Sequence, residues 1–346
     1  MKKLIALFLS LCLVLGLCAC AASQPAETTQ PTETTEATTE ATRPALNLPT
    51  AEEYVGPVTP LLFEVTDASG NTAWLFGSVH VGFESFYPLP DYVYDAFDQA
   101  DAAAFEIDML AFEADTEAQT AAVQAMMYTD GTTLKDHLPE ELYNQAVQVM
   151  TDAGFYFELL DYYNVAMWSM LVEQLLYEEM GIRSDLGIDL HLMDKAYTES
   201  KPVYEVESAL FQYQMMSNYS PALQEMLLQS AIESWGDPEA VLEGLDELVS
   251  CWATGDEAAM VALLAAEDDE LTEEELVLYA EYKKAMETDR NIGMADYAEE
   301  ALASGEKVFI CVGAAHIVGE GGLVDLLTQR GYTVTCIGGT PLENAA

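Results

Sequence analysis

Strand-forming segments stand at the two ends of the folded part of this chain, and the long stretch between them has a helical pattern. Strands are predicted over residues 61–66, 73–80, 101–108, 307–312 and 333–337. Because a strand needs hydrogen-bonded neighbours, the strands of both ends must meet in one sheet. We therefore predict an α/β (α+β) domain. Its central mixed sheet is formed by N- and C-terminal segments and carries a large helical insert between them.

The insert, from about residue 110 to residue 302, is helical by period and propensity, with one short strand at residues 202–205. Helices are predicted over residues 90–100, 113–127, 139–153, 157–180, 185–199, 208–217, 220–233, 237–253, 256–265, 272–286, 289–304 and 319–330. The apolar run 165–177 contains Glu173, so we predict a core helix there rather than a membrane span.

The N-terminus has the pattern of an export signal. Met1-Lys2-Lys3 precedes an apolar run, residues 4–17, which is typical of a secretory signal. The sequence Leu17-Cys18-Ala19-Cys20 resembles the bacterial lipobox, in which the chain is cut before the cysteine and the thiol is lipidated. We predict a lipoprotein signal peptide over 1–19, with Cys20 anchored to the outer face of the cell membrane. The alternative is an ordinary signal cut near Ala19 or Ala22.

The chain after Cys20 changes composition abruptly. Thr, Glu, Pro and Ala dominate until about residue 50, and such a segment cannot bury apolar surface. We predict a disordered Thr/Glu/Pro-rich linker over 20–50 and a domain over 51–346. Cys311 and Cys336 lie in predicted strands, and the sequence leaves a disulfide between them open.

The acidic charge of the chain excludes one class of partner. Sixty Asp and Glu residues stand against 12 Lys and Arg residues, giving a formal net charge of −48. Phosphate backbones repel such a protein, so nucleic acid is excluded as a partner. The predicted partner is a peptide or small-molecule substrate, and the predicted membrane contact is through the lipid anchor only.

Two matching motifs carry the candidate chemistry. Gly77 stands three residues before His80, and Gly313 stands three before His316; each pair follows an apolar strand. Ligands bind at the carboxyl ends of strands in α/β sheets, and glycine lets the backbone approach a ligand closely. Two imidazoles from neighbouring strand ends can hold a divalent metal, and Glu106, at the end of the next strand, can join them as a ligand or general base.

These motifs also resemble a known family. The paired Gly-x-x-His motifs, Phe-Glu-Ile-Asp at residues 105–108 and Val-Gly-Ala-Ala-His at residues 312–316 are similar to the TraB/GumN family, of the PrgY/GumN superfamily, which includes the Tiki proteins. Further matches are Gly-Ile-Asp at 187–189, Glu207-Ser…Gln212 and Asp-Arg-Asn-Ile-Gly-Met-Ala at 289–295. The resemblance spans about residues 60–337.

The resemblance implies a metal-dependent, peptidase-like hydrolase, and the lipobox-like N-terminus predicts that it acts on the outer face of the cell membrane. By motif, it ties His80, His316 and Glu106 to activity. We predict that these three residues are the metal ligands, with manganese or cobalt favoured and zinc possible as the ion. Glu106 is also a candidate catalytic residue. From the residues alone, Glu207 and Arg290 are further catalytic candidates, since an arginine can polarise a substrate carbonyl or pair with a buried acid.

Two other functions stay open at this point. The protein can be a non-catalytic surface lipoprotein that binds a peptide signal, or a metal-independent esterase, a class distantly similar in its histidine-bearing strand ends. A chelator separates the esterase from the metal-dependent enzyme. His137, at a predicted loop, and His191, on a predicted helix, are assigned no catalytic role.

Overall fold

A computed structural model describes residues 46, 48–266 and 271–342. The predicted signal peptide (1–19), the predicted lipidation site Cys20 and nearly all of the predicted linker (20–50) lie outside the described residues. Among those that are described, no helix is both long enough and apolar enough to cross a bilayer.

Both ends of the domain build one mixed sheet, as predicted. Its strands are β1 (Leu62–Thr66), β2 (Thr72–Ser78), β3 (Ala102–Phe105), β4 (Val203–Glu205), β5 (Val308–Gly313) and β6 (Thr333–Gly338). The spatial order is β4-β3-β5-β2-β1-β6. Strands β4, β3, β5 and β2 are mutually parallel, whereas β1 is antiparallel to β2 and β6. The carboxyl ends of four strands therefore meet at one edge.

Helices account for most of the rest of the described chain. They are α1 (Asp91–Gln99), α2 (Met109–Ala114), α3 (Thr116–Ala125), α4 (Leu134–His137), α5 (Glu140–Asp152), α6 (Val165–Glu179), α7 (Ile188–Glu199), α8 (Ala209–Ser217), α9 (Pro221–Gly236), α10 (Pro238–Thr254), α11 (Glu257–Ala265), α12 (Glu273–Lys283), α13 (Asp289–Ser304), α14 (Ala314–Ile317) and α15 (Leu323–Gln329). A π-helical turn, Lys284–Thr288, joins α12 to α13.

The apolar side chains divide into two cores. One lies on the sheet, where the ring of Phe309 on β5 is 5.7 Å from Phe76 and 5.3 Å from Phe97. The other lies within the helical insert around Trp168, which is fully buried on α6. Burying an aromatic ring of this size stabilises a fold by about 1.5–3 kcal/mol. The insert thus has its own hydrophobic core beside that of the sheet.

Several predicted boundaries were wrong where side chains cap helices. The predicted helix 157–180 begins only at Val165, because Asn164 caps α6 by accepting a 3.0 Å hydrogen bond from the Met167 N–H. The predicted helix 113–127 is two helices, parted at Asp115, whose carboxylate accepts N–H bonds from the first turn of α3. The predicted strand 101–108 ends at Phe105.

The cysteines on the sheet do not form a disulfide. Cys311 lies on β5 and Cys336 on β6, and β2 and β1 separate these two strands in the sheet. Both thiols are free, as is that of Cys251. The disulfide that the sequence left open is therefore absent, because sheet order places two strands between its ends.

Candidate active site at the carboxyl edge of the sheet

The candidate residues gather where the four parallel strands end. Glu106 directly follows β3, His80 stands two residues beyond β2, and Glu207 stands two residues beyond β4. His316 lies on the short helix α14, which follows β5 without a break. The first turn of α13 supplies Arg290. The structure therefore brings together all five side chains that the sequence suggested.

His80 is oriented by an acid from another element. Its Nδ1 donates a 2.7 Å hydrogen bond to Oδ2 of Asp189, in the first turn of α7. The His80 side chain is 6% exposed. Burial opposes protonation of the ring, but the charge and hydrogen bond of Asp189 outweigh it and raise the pKa of His80 to about 9. This imidazole is therefore a cation at neutral pH in the absence of a ligand.

His316 has a different partner and the opposite electrostatics. Its Nδ1 donates a 2.6 Å hydrogen bond to Oδ1 of Asn291, whose Nδ2 in turn donates to the carbonyl oxygen of Gly321 at 2.8 Å. Burial, and then the positive charge of Arg290, lower the pKa of His316 to about 3. This ring is therefore neutral, and its Nε2 lone pair is free of a proton.

A buried ion cluster stands beside the histidines. Glu106 Oε2 accepts a 2.5 Å bond from Nη2 of Arg290, and Oε1 accepts a 2.6 Å bond from the Gly313 N–H. Arg290 also donates from Nε and Nη2 to Glu207 at 2.8–3.0 Å. Gln212 donates to both carboxylates, at 3.3 Å to Glu106 and 2.9 Å to Glu207. Burial alone would favour the neutral acid, but Arg290 and the histidines hold the pKa of Glu106 well below its usual range.

The two motif glycines, Gly77 and Gly313, lie where neighbouring atoms approach too closely to accommodate a Cβ easily. A Cβ at Gly77 would lie 2.9 Å from the Cα of Ala314, which is too close for real atoms. The carbonyl oxygen of Gly77 also accepts a 2.8 Å bond from the indole of Trp252. A Cβ at Gly313 would lie 3.2 Å from Oε1 of Glu106. Gly77 therefore lets α14 pack against β2, and Gly313 gives its N–H to the carboxylate.

The donor set can be tested against a divalent metal. Hydrogen bonds on both Nδ1 atoms leave the Nε2 atoms as the ligating nitrogens, which is how metal-binding imidazoles are usually held. Two ligands about 2.1 Å from one ion are about 3.4 Å apart at a tetrahedral angle, and Nε2 of His316 lies 3.8 Å from Oε1 of Glu106. Within residues 46, 48–266 and 271–342, however, no three His, Cys, Asp or Glu side chains already surround a common point suited to a metal. The ligand chemistry fits a metal, whereas the present spacing does not enclose one.

The remaining histidines lie in other environments. His137 is exposed, stacked on Tyr128 at 4.0 Å between ring centroids, and it lies on α4 rather than in a loop. Nε2 of His191 lies 2.9 Å from the hydroxyl of Tyr94. Among the described residues, neither side chain contacts the cluster described above.

Three residues of the site were not identified from sequence as functional. Asp189, Asn291 and Gln212 each sit in a quoted motif, but a polar residue within a helical pattern does not reveal its tertiary partner. The available signal was their position: Asp189 follows Gly187-Ile188, and Asn291 follows Arg290 directly. Side chains that orient histidines are recognised only once the strand ends are placed.

Comparisons with known proteins agree on one family. The model of the TraB/PrgY/gumN family matches residues 61–336. The protein described as "Uncharacterized protein YbaP" from Shigella flexneri is 24% identical over 265 residues, covering 76% of this chain and 90% of its own. Its namesake from Escherichia coli (strain K12) is 25% identical over 254 residues, covering 73% of this chain and 86% of its own. No solved structure matches the chain.

Proposed function

The chain belongs to the TraB/PrgY/gumN family, and we propose that it is a hydrolase of peptide bonds that depends on a divalent metal. The observation that carries the proposal is the pair of orienting hydrogen bonds at adjacent strand ends: His80 to Asp189 at 2.7 Å and His316 to Asn291 at 2.6 Å. Fixed imidazoles beside an ionised, buried carboxylate are a common feature of active sites, and this feature supports the proposal.

Nε2 of His80, Nε2 of His316 and Oε1 of Glu106 would hold the ion. Manganese or cobalt is favoured and zinc is an alternative, since imidazole and carboxylate suit all three. A bound ion supplies a Lewis acid that polarises a scissile carbonyl and lowers the pKa of a water molecule. Asp189 and Asn291 orient the two rings. Arg290 and Gly313 keep Glu106 ionised, and an ionised carboxylate is the form that ligates a metal.

A specific observation favours a second candidate, hydrolysis without a metal. The surroundings of the two histidines shift their pKa values in opposite directions: the pKa of His80 is raised to about 9 and that of His316 is lowered to about 3. Such a split is the arrangement of an acid and a base. His316 would accept a proton from water at Nε2, and His80 would donate one to the leaving group. The ion pair of Glu106 with Arg290 then has a structural role.

Calorimetry on the metal-stripped full chain tests the proposal. Manganese, cobalt and zinc are titrated into wild type, His316→Ala, Asn291→Ala and the control His137→Ala. We expect one site in wild type and the control, none in His316→Ala, and affinity about 10–100-fold weaker in Asn291→Ala, which loses only the orienting acceptor. Turnover of a peptide library and of ester substrates is then measured with and without chelator.

Each outcome selects one function. Binding that requires His316, with peptide cleavage that stops in chelator, supports the metal-dependent hydrolase. Cleavage that persists in chelator but fails in His316→Ala supports the metal-free reaction, and ester turnover would make it an esterase. Peptide binding without any cleaved product would leave a non-catalytic binding lipoprotein.

We also propose that the protein is exported and held on the outer face of the cell membrane through Cys20. The support is the lipobox-like sequence that precedes this cysteine. Metabolic labelling with a fatty acid and membrane fractionation test it. Wild type should carry label and sediment with membranes, whereas Cys20→Ser should do neither; equal labelling of both would contradict the assignment.

A further inference from the structure

An open groove lies between the chain that precedes β1 and helix α10. It encloses about 510 Å³, which is in the size range of ligand sites. Residues 49–52 and Tyr54 line it from the N-terminal segment, a face of α10 between residues 239 and 249 lines it from the helical insert, and Phe83, from the loop after β2, completes the lining. We call this space the acidic groove, for the reason given below.

The deeper part of the acidic groove is apolar. Leu245 and Val249 of α10 are buried, whereas Tyr54, Phe83 and Leu242 are half-buried, so part of each of these three side chains faces the open space. A ligand with an apolar part would remove that surface from water, and this burial favours binding.

The aromatic rings of this floor are already held in place. Phe86 is fully buried, and the rings of Tyr54 and Phe83 both meet it edge to face, with centroids 5.6 Å and 5.4 Å away. The ring of Trp252 contacts Phe86 in turn, at 5.0 Å. Because Tyr54 and Phe83 are ordered before a ligand arrives, binding does not have to fix them.

The rim of the groove is acidic. Four exposed carboxylates line it, those of Glu52, Glu239, Glu243 and Asp246, and no described Lys, Arg or His does so. The stretches of chain that supply the two walls are also free of bases: residues 44–79 and residues 202–282 contain no Lys, Arg or His. The groove therefore presents apolar surface surrounded by negative charge.

The acids on α10 also share one face of that helix. Glu243 follows Glu239 by four residues, and Asp246 follows Glu243 by three. Like charges at these spacings destabilise a helix. A cation in the groove would relieve this repulsion, so binding of a cation is favoured by the helix itself.

A short and fixed loop connects the groove to the candidate active site. Phe83 stands three residues after His80, so their Cα atoms are at most about 11 Å apart. The Gly82 N–H donates a 3.0 Å hydrogen bond to the carbonyl oxygen of Arg183, and a Cβ at Gly82 would lie 1.8 Å from the carbonyl oxygen of Leu186. An extended peptide advances about 3.3 Å per residue, so a residue about three or four positions from a bond held at His80 would reach Phe83.

We propose that the acidic groove binds a basic and apolar segment of a peptide, with a lysine or arginine side chain along its floor and the positive charge at its rim. Long cationic side chains bury their methylene stems on apolar surface and keep the charged group in water, and aromatic rings attract cations as well. The claim that this peptide is the substrate rests on the proposed hydrolase function; the claim that the groove binds it does not.

The test measures fluorescence anisotropy of a labelled pentapeptide, Lys-Leu-Lys-Leu-Lys, on the full chain in chelator. One control peptide has Gln in place of each Lys and lacks the charge; the other has Ser in place of each Leu and lacks the apolar side chains. We expect both controls to bind at least about tenfold more weakly than the parent, because the rim and the floor each contribute. Affinity for the parent should also fall as salt is raised, since the rim carboxylates are exposed.

Variants separate the groove from general attraction to an acidic protein. Glu239→Gln with Asp246→Asn should weaken binding of the parent peptide by about 5–30-fold. The matched control is Glu273→Gln with Glu274→Gln, which removes two exposed carboxylates from α12 outside the groove and should change affinity by less than about twofold. His316→Ala should bind the peptide as wild type does, even though it loses turnover.

The outcomes distinguish the two proposals. Binding that is lost in the groove variant but kept in the α12 control and in His316→Ala supports the groove, whether or not the hydrolase proposal survives. If the groove variant and the α12 control bind alike, or if the Gln peptide binds as tightly as the parent, the groove proposal is refuted.

Two further measurements test the identity of the occupant. Arg43 is the only Lys or Arg between Lys3 and Lys135 and stands six residues before Pro49. If Arg43→Gln binds the peptide about tenfold tighter than wild type, the arginine of the chain itself occupies the groove, and the proposal of a substrate segment is wrong. If the peptide is a substrate, the groove variant should raise KM for lysine-containing peptides and leave kcat unchanged.

Discussion

Replacing Arg290 by glutamine is the sharpest perturbation of the candidate site. The Arg290 side chain is 1% exposed and lies between two carboxylates, Glu106 and Glu207, which are 7% and 8% exposed. Glutamine keeps a polar side chain but removes the only described cation that contacts both acids. The variant must then hold two buried carboxylates without their counter-ion.

The expected cost follows from that burial. Breaking a buried ion pair by removing one partner typically costs about 3–5 kcal/mol of unfolding free energy, because the remaining charge is uncompensated. Adding Glu207→Gln to Arg290→Gln removes one of the two orphaned charges, so the double variant should recover about 1 kcal/mol or more. The control is Arg330→Gln: Arg330 also pairs with two acids, Asp296 and Glu299, but it is 24% exposed and should cost about 1 kcal/mol or less.

The stability lost in Arg290→Gln should also depend on pH, and it should become smaller as pH falls. In wild type, Arg290 helps to depress the pKa of Glu106 below its ordinary value of 4.5. The stability that this provides is present above pH 4.5 and is lost as pH falls through the depressed pKa. In Arg290→Gln the buried Glu106 is protonated more readily, so the difference from wild type should shrink as pH falls from 7 toward 4.5.

Urea unfolding followed by circular dichroism, at pH 7 and pH 5, measures these differences. A loss below about 1 kcal/mol for Arg290→Gln at pH 7, equal to that of Arg330→Gln, would refute the view that the cluster is a buried ion network. A double variant less stable than Arg290→Gln alone would refute it as well.

Two further predictions concern the histidine motifs. Gly77→Ala should destabilise the protein by about 1–3 kcal/mol in urea unfolding, because the added Cβ would lie 2.9 Å from the backbone of α14. Gly313→Ala should leave stability within about 1 kcal/mol but weaken metal binding, because its Cβ would press on Glu106. Equal losses of stability in the two variants would contradict this contrast. In chelator, the raised pKa of His80 stabilises the fold fully below pH 6.5, and this contribution of about 3 kcal/mol is lost as pH rises through about 9. Asp189→Asn should abolish that slope, and an unchanged slope in the variant would show that another group causes it.

Sequence pattern was sufficient for the architecture because the informative signals are local. Apolar strands, each followed by Gly-x-x-His, identify β2 and β5, and helical periodicity identifies the insert. The predicted helix boundaries were wrong where a single side chain decides where the helix begins, as Asn164 does by capping α6. The short helix α14 was missed because four residues carry too little periodicity to be recognised.

The site was predictable only in part, for a related reason. His80, His316 and Glu106 were identified because strand ends of parallel strands meet at one edge. Asp189 and Asn291 come from helices 109 residues after His80 and 25 residues before His316, and no local pattern indicates which ring each will contact. The pairing of Arg290 with acids was foreseen as an option, but the identity of both acids required the folded structure.

The strand order has a consequence for biosynthesis. β5 lies between β2 and β3, so the strand pairs β1–β2 and β3–β4 are joined only when the chain has been made as far as Val308. The Gly313 N–H that holds Glu106 and the imidazole of His316 arrive with the same strand and the helix after it. Contacts this distant in sequence form late in folding. A chain that ends before Val308 therefore lacks the central strand and, with it, both His316 and the N–H that holds Glu106.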